Sequence, residues 1–406
     1  MSIVDNTPEE AAPDRRGVDS TTAWFACGLS LVALFFAFGV AYSYGVFFSS
    51  ITQEFGAQSA SAAGLFSVTS LLFFGLGCLS GPLSDRVGPK PLLIAGGLIM
   101  ALGLAGTARA PSLLHAYVTY GLGVGIGVGC IYVPVVAAVG RWFDRSQAMA
   151  LGVAVSGIGL GTLGVPPLSA WLIELFGWRG VYDLYAVVVA MVLLMAGLLY
   201  PAPARAPKRA ALAGRAWRSR RFARVYLATL LLNVVLYVPF VHLPAAAKAA
   251  GIEPVHAAGL VGILGLSSVI GRLIVGPLGD RLPQLGLYKG CFALISASFL
   301  IWLLAADSYT WLVVFAVVIG AGYGAYIALT PVVLATLFGQ DALARLLGIV
   351  YTAVALGAAT GPLLAGLGVD LLEAYTAVLI ILSGIALLSL LVILPTGVDA
   401  EAPRTR

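Results

Sequence analysis

Hydrophobic residues in this chain fall into long runs, broken by clusters of charge and turn residues, with no sustained apolar–polar alternation. Twelve runs of mostly apolar residues can be marked off: 24–51, 60–83, 92–108, 113–139, 149–175, 181–200, 223–247, 257–278, 285–305, 310–337, 346–368 and 374–394. At about 1.5 Å per helical residue, runs of 17–28 residues are of the length that crosses a hydrocarbon core, for which about 17–25 residues serve. A membrane-spanning strand needs only about ten residues and alternates in polarity, so runs of this length satisfy their backbone groups only as helices. The pattern predicts an all-α membrane protein with twelve transmembrane helices.

Composition strengthens this and closes off other classes. Of the 406 residues, 60% are hydrophobic and 10% charged, against roughly 45–50% and about 25% in soluble domains. Mean hydropathy is +0.99. A soluble fold would lack the polar side chains to cover itself. The first 22 residues carry five acids and two arginines and no small-residue cleavage site, so the run that follows is expected to be a span and not a cleaved signal. Cys27, Cys78, Cys130 and Cys291 stand singly in apolar runs, without metal or disulfide spacing, which assigns them to packing.

The lysines and arginines set an expected orientation. With both termini in the cytoplasm, as in a cell (inner) membrane, cytoplasmic segments hold 19 of the 23, the opposite face holds Arg109, Arg179 and Lys248, and Arg272 lies inside a span. That asymmetry follows the positive-inside rule. Segment 201–224 carries eight basic residues and no acid, which reads as a linker lying against anionic lipid. The expected organisation is a cytoplasmic tail (1–22), a six-helix bundle (23–200), a basic linker (201–222), a second six-helix bundle (223–395) and a short tail (396–406).

Two bundles also follow from an internal repeat. Gly81-Pro-Leu-Ser-Asp85-Arg86 returns as Gly276-Pro-Leu-Gly-Asp280-Arg281, Pro134-Val-Val returns as Pro331-Val-Val, and the segment from Leu151 to Gly161 aligns with that from Leu347 to Gly357. Three matches in one order at nearly constant offset indicate two pseudo-symmetric halves, the build of alternating-access carriers.

The loop Gly81-Pro-Leu-Ser-Asp85-Arg86-Val-Gly88-Pro-Lys90 resembles the signature loop of the major facilitator superfamily. Arg141-Trp-Phe-Asp-Arg145, the small residues that follow it, Gly177-Trp-Arg-Gly180 and Gly271-Arg272 are similar to the monocarboxylate porter group (solute carrier 16-like), with the nearest likeness to its bacterial lactate-type members. The resemblance implies the major facilitator fold. It also implies a gating role for Gly81, Asp85, Arg86, Asp280 and Arg281, where contacts must break as the halves rock. Two departures matter: the group's lysine in the first span is replaced by an uncharged run near Gly45-Val46-Phe47, and Ser268 stands where the group places an aspartate one turn before the arginine. The family's lysine–aspartate proton route therefore does not carry over.

Candidate chemistry centres on Arg272. It lies eight residues before Asp280, about 12 Å from the helix end, where an arginine costs about 2.5–3.5 kcal/mol by insertion scales. Glu54, Glu174, Asp183, Asp370 and Glu373 all fall near span ends, so no acid is expected at its depth and an anionic substrate becomes its partner. A guanidinium fork suits a carboxylate. Thr229, Asn233 and Tyr237 share one helix face, and Tyr323, Tyr326 and Thr330 another, giving Asn233, Tyr323 and Tyr326 as further substrate contacts. Histidine 242 is the one histidine within a span, a candidate for both substrate and proton. Gly159-Leu-Gly161-Thr-Leu-Gly164 fits a nucleotide fingerprint only formally, because no strand precedes it. The expectation is a monomeric secondary transporter, not an enzyme, needing no cofactor and contacting no nucleic acid, with a small lactate-like monocarboxylate, a proton and membrane lipid as partners. An organic-anion exchanger of the oxalate/formate type is the alternative.

Overall fold

The computed structural model describes residues 19–143, 146–201, 215–279, 281–305, 308–372 and 374–397. Among them are fifteen α-helices: α1 (Thr21–Tyr42), α2 (Tyr44–Phe55), α3 (Ser59–Gly75), α4 (Gly77–Val87), α5 (Pro89–Ala108), α6 (Leu113–Ala116), α7 (Gly123–Trp142), α8 (Gln147–Leu199), α9 (Arg220–Leu236), α10 (Val238–Ala249), α11 (Pro254–Gly279), α12 (Gln284–Ala305), α13 (Tyr309–Phe338), α14 (Gln340–Leu372) and α15 (Tyr375–Ile393). No strand occurs among the described residues.

Broken spans reconcile fifteen helices with twelve runs. α1 and α2 are one run interrupted at Ser43, whose hydroxyl donates to the Val40 carbonyl. α9 and α10 are the corresponding run of the second half, interrupted at Tyr237. α3 and α4 bend by 49° around Leu76, where Gly75 and Gly77 flank the break. A π-helical turn over Tyr117–Leu122 joins α6 to α7; such turns insert one extra residue and re-aim the helix that follows. In the other direction, the runs 149–175 and 181–200 form the single assigned helix α8, folded back at Gly177 (φ 68, ψ 163). That backbone is open to glycine and strained for other residues.

Several boundaries differ from the sequence reading by a few residues. α1 begins at Thr21, inside the expected tail, and α9 begins at Arg220, inside the expected linker, with Ser219 accepting from the Phe222 N–H as its N-cap. A side-chain cap fixes a helix start independently of hydropathy, and so displaces it from the apolar boundary. A short 3-10 turn precedes it at Arg215–Arg218; the rest of the linker, 202–214, lies outside the described residues.

The internal repeat sets α1 to α8 against α9 to α15, the first and second halves of the chain. Leucine, isoleucine and valine side chains remain exposed all around, among them Leu102, Leu304, Leu371 and Leu391, as required of a surface solvated by lipid chains. With no hydrophobic driving force between helices in lipid, close packing depends on small residues. Glycine supplies it where α11 meets α13: a Cβ on Gly324 would run into the Ser268 carbonyl, and one on Gly271 into the Ala321 carbonyl. This crossing holds the segment that carries Arg272.

Gly324→Ala is expected to lower the stability of the detergent-solubilised protein by about 1–3 kcal/mol, the usual range for overpacking. Gly384→Ala, where nothing lies within 4 Å of the added methyl, is expected to leave it unchanged. Thermal unfolding of the two variants side by side checks the contrast.

Candidate functional site

Arg272 projects from α11 into a cavity between the halves, lined on one side by Phe38, Tyr132 and Ile158 and on the other by Asn233, Tyr326 and Tyr351 among others. Its Nε and Nη1 are shielded from solvent and have no hydrogen-bond partner among the described residues. Ser268, one turn earlier, spends its hydroxyl on its own helix, donating to the Gly265 carbonyl at 2.8 Å. Among the described residues no acid lines the cavity. The arrangement thus leaves two guanidinium nitrogens shielded from water without a partner, which is costly unless an anion completes them.

The rest of the lining is polar around Arg272 and apolar elsewhere. Asn233 donates through Nδ2 to the Thr229 carbonyl at 2.7 Å and to the Tyr326 hydroxyl at 3.1 Å, leaving Oδ1 buried and unpartnered. Thr330 donates to the Tyr326 carbonyl at 2.7 Å. Tyr288 stacks on Tyr326 from outside the cavity, with ring centroids 5.7 Å apart. Tyr132, from α7, and Tyr351, from α14, bring their hydroxyls within interacting range of each other, and Arg272 acts electrostatically on Tyr132. Only about 40 Å³ is open to water centres, room for about three waters. A small acid with a short apolar body is the ligand this volume and chemistry suit.

Of the residues singled out from sequence, Arg272, Asn233, Tyr323 and Tyr326 are brought together here. His242 is not. It is buried in α10 with Nε2 donating to the Pro362 carbonyl at 2.9 Å, Nδ1 unpartnered, and Phe48 and Tyr375 as ring neighbours at 5.3 and 6.1 Å. It lies beyond the break at Tyr237, on a helix separate from the one that carries Asn233. Sequence reasoning passed over Tyr132 and Tyr351. Each is a tyrosine inside an apolar run, and a phenol in such a place usually seeks a partner.

The cavity's two ends differ. Towards α10, aromatic rings from both halves close it: Tyr42 lies 4.4 Å from Phe240 between centroids, and Phe240 and Tyr323 are 6.1 Å apart. Gly45 lets α2 press on this plug, since a Cβ there would strike the Phe240 carbonyl. Towards α4, a vestibule of about 440 Å³ opens beside Gly81 and Asp85. It shares Phe74, Tyr132, Leu347 and Tyr351 with the cavity, so these four side chains are the partition between them. Asp85 accepts from Arg141 at 2.7 Å, an α4–α7 pair within the first half. Arg86 and Arg281 are exposed, and Asp280 lies outside the described residues.

Comparison with known proteins agrees with this architecture. The family model described as Major Facilitator Superfamily matches residues 30–302 and 287–405. Monocarboxylate transporter 13 of Rattus norvegicus is 30% identical over 352 residues, which are 84% of this chain and 81% of the relative. Monocarboxylate transporter 3 of the same species is 30% identical over 390 residues, 90% and 78% of the two chains. Among solved structures, a bacterial homologue of the human lysosomal transporter Spinster, inward-facing and unoccupied, has a TM-score of 0.74 at 15% identity, covering 92% of this chain and 96% of that one. The nucleoside transporter NupG has a TM-score of 0.76 at 13% identity, covering 91% and 98%. At these identities the structural likeness concerns the fold.

An unpaired buried cation destabilises the empty protein, so Arg272→Met, apolar and of similar length, is expected to raise its melting temperature, by up to about 1–4 kcal/mol in stability. Thermal unfolding in detergent without added anion measures this; a fall would mean that the guanidinium is already satisfied.

Proposed function

The chain belongs to the major facilitator superfamily, and within it to the monocarboxylate transporter family, and from that premise we propose that it carries a small, lactate-like monocarboxylate together with a proton by alternating access. The observation that bears most of this reading is Arg272: two solvent-shielded, unpartnered nitrogens facing a cavity that both halves line and no acid enters. A carboxylate binds the guanidinium fork through two charge-assisted hydrogen bonds. It also comes within range of the Tyr132 hydroxyl, which acts from the other half. Ligand binding thereby neutralises the charge and ties the halves together, while Asn233 and Tyr326 offer a neutral acceptor and donor to a hydroxyl or keto oxygen beside the carboxylate. Phe38, Val155 and Ile158 surround the apolar end.

The count of basic residues supports cytoplasmic termini and a vestibule at the Asp85 end that faces the cytoplasm. In that orientation the state described here is inward-facing: the ligand leaves past Tyr132 and Tyr351, and the Tyr42–Phe240 plug excludes the outside. Gly81, Asp85 and Arg86 retain their gating role in this scheme, with Asp85 held by Arg141 while the inner end is open.

The proton half rests on His242, whose Nδ1 is free to accept; its position outside the cavity means that proton and anion bind apart. With neither carboxylate nor histidine in the cavity lining among the described residues, anion-for-anion exchange is the second reading.

In proteoliposomes, uptake of labelled L-lactate is expected to accumulate under an inward acid gradient and to collapse when the gradient is dissipated. Uptake that ignores the gradient but requires an internal organic anion would replace symport with exchange, and no uptake of any monocarboxylate would end the proposal. Arg272→Ala is expected to reduce binding of L-lactate by at least about a hundredfold, the scale of a lost charged hydrogen-bonded pair, as read by calorimetry. For His242→Ala, the expected outcome is that substrate-dependent alkalinisation outside the vesicle disappears while L-lactate still binds.

A further inference from the structure

α3 starts abruptly. The chain turns at Gly56 (φ 55), and Gln58 stands at the N-cap position without a side-chain hydrogen bond to the helix. The first N–H groups of a helix have no partner within it, and here they are satisfied from a distance. Asp370, near the end of α14, accepts from the Ser59 N–H through Oδ1 at 2.9 Å and from the Ala60 N–H through Oδ2 at 2.8 Å, across 311 and 310 residues of sequence. The missing cap of a first-half helix is therefore supplied by the second half, with a carboxylate at the positive end of the helix dipole.

The approach is close enough to need glycine. One turn before Asp370, a Cβ on Gly366 would lie 2.8 Å from the backbone N and Cα of Ala60. Other ion pairs at this end, Arg179 with Glu54 and Arg109 with Asp183, stay within the first half. They survive a separation of the halves; the Asp370 cap does not.

We propose that Asp370 is the latch of the outer end: its carboxylate caps α3 only while the plug side is closed, and its release accompanies opening of that side. This rests on the alternating-access reading above. Separation leaves the Ser59 and Ala60 N–H groups to water and removes a charge-assisted pair, so the latch adds to the inward-facing state a stabilisation that the outward-facing state lacks. It sets the balance between the two without touching the ligand.

The test uses the full chain with Cys27, Cys78, Cys130 and Cys291 replaced by serine. One pair of spin labels sits at the outer end (Leu114→Cys with Ser308→Cys) and, in a second sample, another at the inner end (Leu83→Cys with Leu282→Cys); all four positions are exposed. Asp370→Ala is expected to shift the ratio of long to short outer distances about tenfold towards long, the scale of one such hydrogen bond, with the inner pair moving the opposite way. Asp370→Asn, which keeps one acceptor, is expected to fall between the variant and the parent and guards against loss of fold. If L-lactate shifts both label pairs but Asp370→Ala leaves the ratios at parental values, the latch is overturned and alternating access stands. If neither pair shows a second population in any protein, with or without L-lactate, both are overturned.

Discussion

A guanidinium held in an apolar interior without a counter-charge is the constraint on which the rest of this structure turns. In lipid, desolvating a charge is expensive, and the membrane spans offer Arg272 no acid among the described residues. What keeps the side chain in place is the rigidity around it. Gly271, Gly320 and Gly324 bring α11 and α13 into backbone contact, so the helix cannot rotate Arg272 away towards a headgroup. An empty site of this kind carries unpartnered charge, and in the proposed function an anion provides the relief.

Both halves are needed to make that relief specific. The cation, Asn233 and Tyr326 belong to the second half, whereas Tyr132 and the apolar wall of Phe38 and Ile158 belong to the first. Under the proposed function a ligand that spans the gap interacts with both at once, while the empty gap leaves Arg272 and Asn233 with unpartnered polar atoms. The asymmetry of the two ends follows from the same division. Aromatic contacts and the Asp370 cap draw the halves together at one end, and at the other the vestibule separates them down to a partition of four side chains. The broken spans contribute here, because the breaks at Ser43 and Tyr237 lie where α2 and α10 turn in to form the plug.

Several of these features were legible in the chain because they follow from properties of single residues or short windows. Arg272 was visible as a charge where charge is costly, and Asn233 and Tyr326 were visible as polar positions on a helical face. The loop around Asp85 declared itself by its repeat. His242 was visible as the one histidine within a span, but that it stands apart from the cavity depends on the break at Tyr237, which hydropathy does not mark. Tyr132 and Tyr351 were overlooked because each meets its partner across the gap between the halves, and no local pattern records that proximity. Asp370 looked like an ordinary acid at a span end; its role appears only once the start of α3, more than 300 residues earlier, is seen beside it.

The sequence by itself determined the solvent, the number of spans, the two-fold repeat and the one deep charge, since each depends on hydropathy or charge summed over a local stretch and lipid enforces those sums strictly. Tertiary structure decided which groups face that charge, which end of the cavity is shut and what holds it shut. Those depend on contacts between distant helices at the scale of a single hydrogen bond. Such contacts are set by where glycines let backbones approach and where spans break.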